Sequence, residues 1–288
     1  MTTDMYRQRR RFVLVCFFVV AVIMVGIASG SASSDILTFS NPIMWIALIL
    51  TVALVAISTV LIITFVVADI RNIVEIGILA LAAEAALRLA LPGGGPNGVM
   101  SIVLFVSLFL VIERLLYGQI ADPFTRRNVR PRKIRFATKA TPEEAWAALA
   151  LLPEHTGSHW YPKTRISRAP DGKGDFLVSY PIRDGHSYQL EAVKVEEADK
   201  PHRFLFSFEP PDPRGETAGL GGRSEVEIAP LGDGGSQVTF SEARDASPLR
   251  RRLQWFLDDE FADRVDSMRA QLDGRRDWSF FARQFARG

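Results

Sequence analysis

The chain is poor in the residues that build cross-links and metal centres. It has one cysteine in 288 residues, Cys16, and that residue stands in an apolar run. A single thiol makes neither a disulfide framework nor a cysteine-based zinc site, and its scarcity fits a reducing compartment for the polar half. Histidines number four. His155 and His159 have the i,i+4 spacing that can chelate zinc, but no third ligand follows at a matching spacing, and His186 and His202 fall on turns elsewhere. No metal and no cofactor are expected. There is no P-loop, no GxGxxG and no Ser-His-Asp order. Gly219, Gly221 and Gly222 precede a strand pattern and not a helix, so they do not form a phosphate cradle. The formal net charge is only +2, which excludes a global nucleic-acid signature.

Charge is missing from one half of the chain. Between residues 12 and 117 acidic and basic residues are few, and from 118 onward they are dense. The first half divides into apolar runs at 12–30, 43–68, 73–91 and 99–117. A spanning helix needs about 20 mostly apolar residues, and each of the runs is long enough. Basic residues sit in the RQRRR head, at Arg71 in the second link, and in TRRNVRPRKIR after the fourth run. The first and third links carry none. Four spans put all of these positive charges on one side, the cytoplasmic one. Three spans would send the large basic segment outside. An alternative for the first run is a cleaved signal peptide, with GIASGSASS as the cleavage region.

The third run, LALAAEAALRLALP at its end, holds Glu84 and Arg88 one turn apart on one helix face. Glu84 lies about 16 Å along the helix from Ile73, near the bilayer midplane. A lone charge there costs at least ~2.5 kcal/mol, and pairing reduces that cost. The two residues read as an intramembrane charge pair, either a structural brace or a proton, ion or headgroup site. Residues 1–117 are thus expected to be a four-span transmembrane domain and 118–133 a basic juxtamembrane linker resting on anionic headgroups. The protein is expected in a bacterial-type inner membrane with both termini cytoplasmic.

The second half changes period. Ile134 to Thr138 alternates like a strand. Thr141, Pro142 and Glu144 form a helix start with a capping box. Strand-like pieces follow, TRISRA, DFLVSYPI, SYQLEAVKV, RFLFSF, RSEVEIAP and SQVTFSEA, with DGKG, RDGH and GDGG as hairpin turns. One long terminal helix is expected, with Ser247 as N-cap, Pro248 at N1 and Gly274 as its stop. Its apolar stripe runs through Leu249, Leu253, Leu257, Phe261, Val265, Met268 and Leu272. Glu225, Glu227, Glu242 and Arg244 are expected on the solvent face of the last hairpin. Strands flanked by helices in this order indicate an α+β domain with an antiparallel sheet at 134–274.

The ATPEEAWAAL opening, the HWYP after the first helix, the GGRSEVEIAPLGDGGSQVTFSE hairpin and the terminal helix together resemble the START-like (Bet v 1-like) superfamily, also described as SRPBCC or polyketide cyclase/dehydrase. The resemblance covers about half the chain, and its motifs are architectural and not catalytic. It implies a helix-grip fold in which a curved sheet and the long helix enclose a cavity for a hydrophobic ligand. Residues able to line it are Phe176, Val178 and Tyr180 on one strand, Tyr188 on the next, and Phe204, Phe206 and Phe208 on a third. Phe240 comes from the last hairpin and Phe261 and Val265 from the helix, and Trp160 and Tyr161 stand where the superfamily has its cavity entrance. The Gly- and Pro-rich loop at 209–222 suits a mobile lid or plain disorder. The tail at 275–288, RRDWSFFARQFARG, has aromatics flanked by arginines and suits either an amphipathic segment in the lipid interface or one that packs on the protein itself or on a partner subunit.

The expected function is binding or transfer of a hydrophobic ligand, a lipid, isoprenoid or quinone, at the membrane. Membrane lipids are the expected partners, with a membrane-protein partner or homo-oligomer possible and nucleic acid excluded. The alternatives are a membrane-tethered enzyme of cyclase, dehydratase or hydrolase type and a non-catalytic accessory subunit of a membrane complex.

Overall fold

The computed structural model describes residues 72–91, 99–169, 174–181, 188–210 and 221–277, with isolated positions before residue 60 and at 279 and 282. The chain divides into two compact units, Met1–Ala121 and Asp122–Gly288.

In the first unit the third and fourth apolar runs form helices α1 (Asn72–Ala90) and α2 (Val99–Leu116). Among the described residues α2 is the one helix long and apolar enough to cross a membrane, and none of it is buried. The 12–30 and 43–68 runs lie outside the described residues apart from isolated positions. The polar residues of α1 face α2. Arg88 donates to Glu84 Oε1 from Nη2 at 2.8 Å and from Nε at 3.2 Å. Ser101 of α2 donates its hydroxyl to Glu84 and accepts from Arg88. Tyr117, just past the end of α2, donates to Glu75 near the start of α1. Each carboxylate of α1 is therefore tied to the partner helix, and both are buried. Partners of this kind are what burial requires, because an unpartnered buried charge is costly.

The second unit opens with a short helix, α3 (Asp122–Thr125), and continues as β1 (Arg127–Thr138), α4 (Pro142–Leu149), β2 (Arg165–Arg168), β3 (Phe176–Pro181) and β4 (Tyr188–Asp199). It ends with β5 (Arg203–Glu209), β6 (Gly222–Pro230), β7 (Ser236–Ser247), α5 (Leu249–Leu257) and α6 (Glu260–Leu272). The strands form one antiparallel seven-stranded sheet in the order β1-β7-β6-β5-β4-β3-β2. A seven-stranded antiparallel sheet with the terminal helices packed on one face fits a helix-grip fold.

β1 begins earlier than the alternation at Ile134 indicated. The residues around Pro131 pair with β7 through register shifts between Arg127 and Val129 and between Val129 and Arg132. An edge strand tolerates proline because one side of its backbone needs no partner. α4 starts as expected: the Thr141 hydroxyl accepts from the Glu144 N–H at 3.3 Å, and Glu144 accepts from the Thr141 N–H at 2.9 Å. It lowers Trp146 onto Phe204, with ring centroids 5.7 Å apart.

The terminal helix is not continuous. It breaks at Asp258 and Asp259, where Asp259 takes a left-handed φ of 49°. The Asp259 carboxylate accepts from Arg132 of β1 at 2.7 Å, an ion pair that fixes the kink where the helix meets the sheet edge. Ser247 is the last residue of β7, and Pro248, not Ser247, is the N-cap of α5. The stop at Gly274 is as expected, with φ of 62°. On α6 the stripe of Phe261, Val265 and Met268 is buried against the sheet.

Candidate ligand-binding site

A small cavity of about 50 Å³, open to solvent on one side, lies between the sheet and α6. Its apolar wall comes from Leu149, Leu151, Trp160, Val226 and Met268 together with Phe206, Phe208 and Phe240. Strand alternation explains the phenylalanines: β5 turns Phe204, Phe206 and Phe208 to one face, and Phe206 and Phe208 border the opening while Phe204 is sealed beneath Trp146. β6 begins so close to Phe208 that a side chain at Gly222 would meet the ring and the Ala243 carbonyl, which requires glycine there.

The expected lining is therefore divided. Trp160, Tyr180, Phe206, Phe208 and Phe240 border the cavity. Val178, Phe204, Phe261 and Val265 belong to the closed core around it, and Phe176 packs on that core while partly exposed. Tyr161 is also buried core, its hydroxyl donated to the Pro181 carbonyl at 2.8 Å. The side chain of Tyr188, most of the 209–222 loop and the aromatics of the 275–288 tail lie outside the described residues.

The polar end of the cavity departs from the sequence reading. Glu242 is only 2% exposed and faces the cavity, not solvent. Its Oε1 accepts from Arg244 Nε at 2.5 Å, its Oε2 accepts from Arg264 of α6, and the Ser224 hydroxyl donates to Oε2 at 3.4 Å. Glu191 of β4 borders the same space and accepts from Gln189 at 2.9 Å. Glu225 and Glu227 do stay on the outer face, paired with Arg203 and Lys133. The signal was present: period-two alternation from Val238 and Phe240 carries Glu242 and Arg244 inward, as Val193 does Glu191. Charge alone had placed the hairpin pair outside.

The two carboxylates have opposite electrostatics. Burial works against the Glu242 charge, yet Arg244 and Arg264 outweigh it and hold the carboxyl below its ordinary 4.5. Burial pushes Glu191 above 4.5, with Glu242 adding to that and Arg244 and Arg264 opposing it. Burial also raises the Tyr180 phenol well above 10. His159 borders the cavity but is set in its wall: its Nδ1 accepts the Tyr161 N–H at 3.2 Å, and burial lowers its pKa to about 4. It is neutral at physiological pH. Among the described residues no group of three or more His, Cys, Asp or Glu side chains is arranged to hold a metal.

No family model matches the chain, and no curated protein matches it. Solved structures are similar to its second half. Protein MLL2253 from Mesorhizobium loti is 14% identical with a TM-score of 0.38, over 51% of this chain and 99% of its own. Ara h 8.0201 is 13% identical with a TM-score of 0.38, over 51% of this chain and 97% of its own. CalU16 from Micromonospora echinospora is 15% identical with a TM-score of 0.33, over 53% of this chain and 83% of its own.

Proposed function

We propose that the second unit binds a hydrophobic molecule drawn from the membrane to which the first unit anchors it. The observation that carries this is the cavity: an aromatic and aliphatic wall that leads to a charged end, the combination by which a protein both buries and orients a small ligand. The open space is small, so a slender acyl or prenyl chain fits better than a fused ring system. Anchoring matters because a tethered mouth meets its ligand at the concentration of the bilayer and not of the cytosol.

The membrane half of the reading rests on the four apolar runs, the distribution of basic residues, and helix α2. It gains support from the start of the second unit. There α3 and α5 are bound together, Arg250 to Asp122 at 3.0 Å and Arg252 to the Thr125 carbonyl at 2.9 Å. They expose Phe124 and Phe256, 89% and 56% accessible. Exposed aromatics beside Arg126 and Arg127 suit the interfacial zone. In this reading both termini are cytoplasmic.

A second reading is favoured by the cavity carboxylates. Two acids with pKa values pushed apart in one cavity are the usual basis for acid–base chemistry. Glu191 would then hold a transferable proton while Glu242 stays ionised. Glu191→Gln separates the readings: loss of turnover with unchanged ligand retention marks an enzyme.

Mass spectrometry of molecules retained by the purified full chain tests the binding reading. Met268→Trp fills the cavity from α6. A retained hydrophobic species that the wild-type chain carries and this variant lacks, at unchanged thermal stability, is expected. Equal retention by both would refute the assignment of the cavity.

A further inference from the structure

Arg244 does not only close the first cavity. Its guanidinium lies 4.9 Å from the centre of the Phe208 ring and 5.6 Å from that of Trp255. Phe208 belongs to the first cavity, and Trp255 belongs to a second one of about 100 Å³ that also borders Arg244. The partition between the two spaces is thus one arginine held between two aromatic faces. Gln189, which borders the second cavity, is hydrogen-bonded to Glu191, which borders the first.

The second cavity has a different chemistry from the first. Arg244, Arg251 and Arg252 line it, against one carboxylate, Glu260. Two of its lining residues bury hydrogen-bond donors that have no partner among the described residues: Trp255 Nε1 and Arg252 Nε. Trp255 is 7% exposed, so its N–H has little access to bulk water. Buried donors are nearly always satisfied, and an indole and a guanidinium N–H without a partner among the described residues, at one positive cavity, fit an acceptor that a ligand supplies. Oxygen atoms of an anion meet both requirements at once, charge and acceptor capacity, and arginine favours carboxylate and phosphate by geometry.

We infer that the second cavity is an anion subsite, and that it takes the carboxylate or phosphate head of an amphiphile whose apolar chain lies in the first cavity. This rests on the proposed function of the first cavity and narrows its ligand to an acidic amphiphile. The chain would pass beside Arg244, which would then count both Glu242 and the ligand head among its neighbours. Neutral isoprenoids and quinones would leave those buried donors unmet and would be poorer ligands.

The test compares a medium-chain fatty acid, the alkyl phosphate and the alcohol of the same chain length, each titrated against the full chain in a neutral detergent. An affinity at least about tenfold higher for the acid and the alkyl phosphate than for the alcohol is expected (about 1.4 kcal/mol). Arg251→Gln and the double variant Arg251→Gln/Arg252→Gln should reduce that ratio stepwise, with folding checked by near-ultraviolet circular dichroism. Arg251 is exposed, so the single variant is expected to fold even if the double does not. Equal affinity for acid and alcohol in the wild-type chain would overturn the subsite and leave the cavity assignment standing. Failure of all three compounds to bind would overturn the cavity assignment itself. A full acid preference in the folded Arg251→Gln variant would overturn the assignment to this cavity. Inorganic phosphate that displaces the fatty acid as well as the alkyl phosphate does would mark a free-anion site and overturn the amphiphile reading.

Discussion

Replacement of Glu242 by glutamine removes one charge and almost no volume, so it isolates the electrostatics of the cavity floor. The residue is 2% exposed and accepts from Arg244 and Arg264 on separate oxygens. Each charge-assisted hydrogen bond is worth about 1.5–3 kcal/mol, and loss of one partner of a buried ion pair costs about 3–5 kcal/mol because the other is left uncompensated. Here two cations are left facing each other. Glu242→Gln should therefore destabilise the second unit by about 3–5 kcal/mol at neutral pH. Glu242→Gln/Arg264→Met should cost less than the single variant, because it also removes one of the stranded cations. The pH dependence has a defined sign. The folded carboxyl titrates below its ordinary 4.5, so its contribution is complete above that value and fades as pH falls through the depressed folded pKa. The gap between wild type and Glu242→Gln should narrow in acid. Urea unfolding of the full chain in a neutral detergent, followed by the fluorescence of buried Trp146, Trp160 and Trp255, measures it. A cost below about 1 kcal/mol at pH 7, or a gap that widens in acid, would refute the reasoning.

Glu191 should behave oppositely. Its folded pKa is raised, so its ionisation costs stability once pH exceeds 4.5, and Glu191→Gln should stabilise at neutral pH with a gain that vanishes in acid; a loss at pH 7 in urea unfolding would contradict this. In the first unit, Glu84→Gln should cost about 1 kcal/mol, and addition of Arg88→Gln little more, because the two share one network with Ser101. Additive costs in detergent unfolding would show the pair to be independent. Reporter fusions at Gly94 and Gly288 should score periplasmic and cytoplasmic, and a periplasmic Gly288 would end the four-span proposal.

Much of the second unit was readable because its physics is local. The Thr141–Glu144 capping box, the Gly274 stop and the alternation of β3 and β5 each follow from a few neighbouring residues. The β1 extension was hidden because Pro131 and a run of arginines resemble a linker, and only pairing with β7 makes them a strand. The break at Asp259 was hidden because the apolar stripe continues through it; the kink is set by Arg132, 127 residues away in sequence. The cavity floor was legible in part. Alternation placed Glu242 and Arg244 inward, but the general rule that charged residues lie outside overrode it. Burial of a charge becomes favourable only when partners are supplied, and Arg264 comes from a different element. No local pattern announces the second cavity, because its arginines and Trp255 meet only when β7, α5 and β4 are assembled.

The central claim, that the cavity between sheet and α6 holds a hydrophobic ligand, is tested most directly by photo-crosslinking in membranes. The full chain, in bilayers of neutral lipid, is irradiated with a diazirine-bearing medium-chain alcohol, and the labelled peptides are mapped by mass spectrometry. The account predicts adducts on β5 around Phe206 and Phe208 and on α6 around Met268, reduced by excess unlabelled alcohol and absent in Met268→Trp. Adducts confined to residues 1–121, with the peptides of β5 and α6 unlabelled, would contradict it.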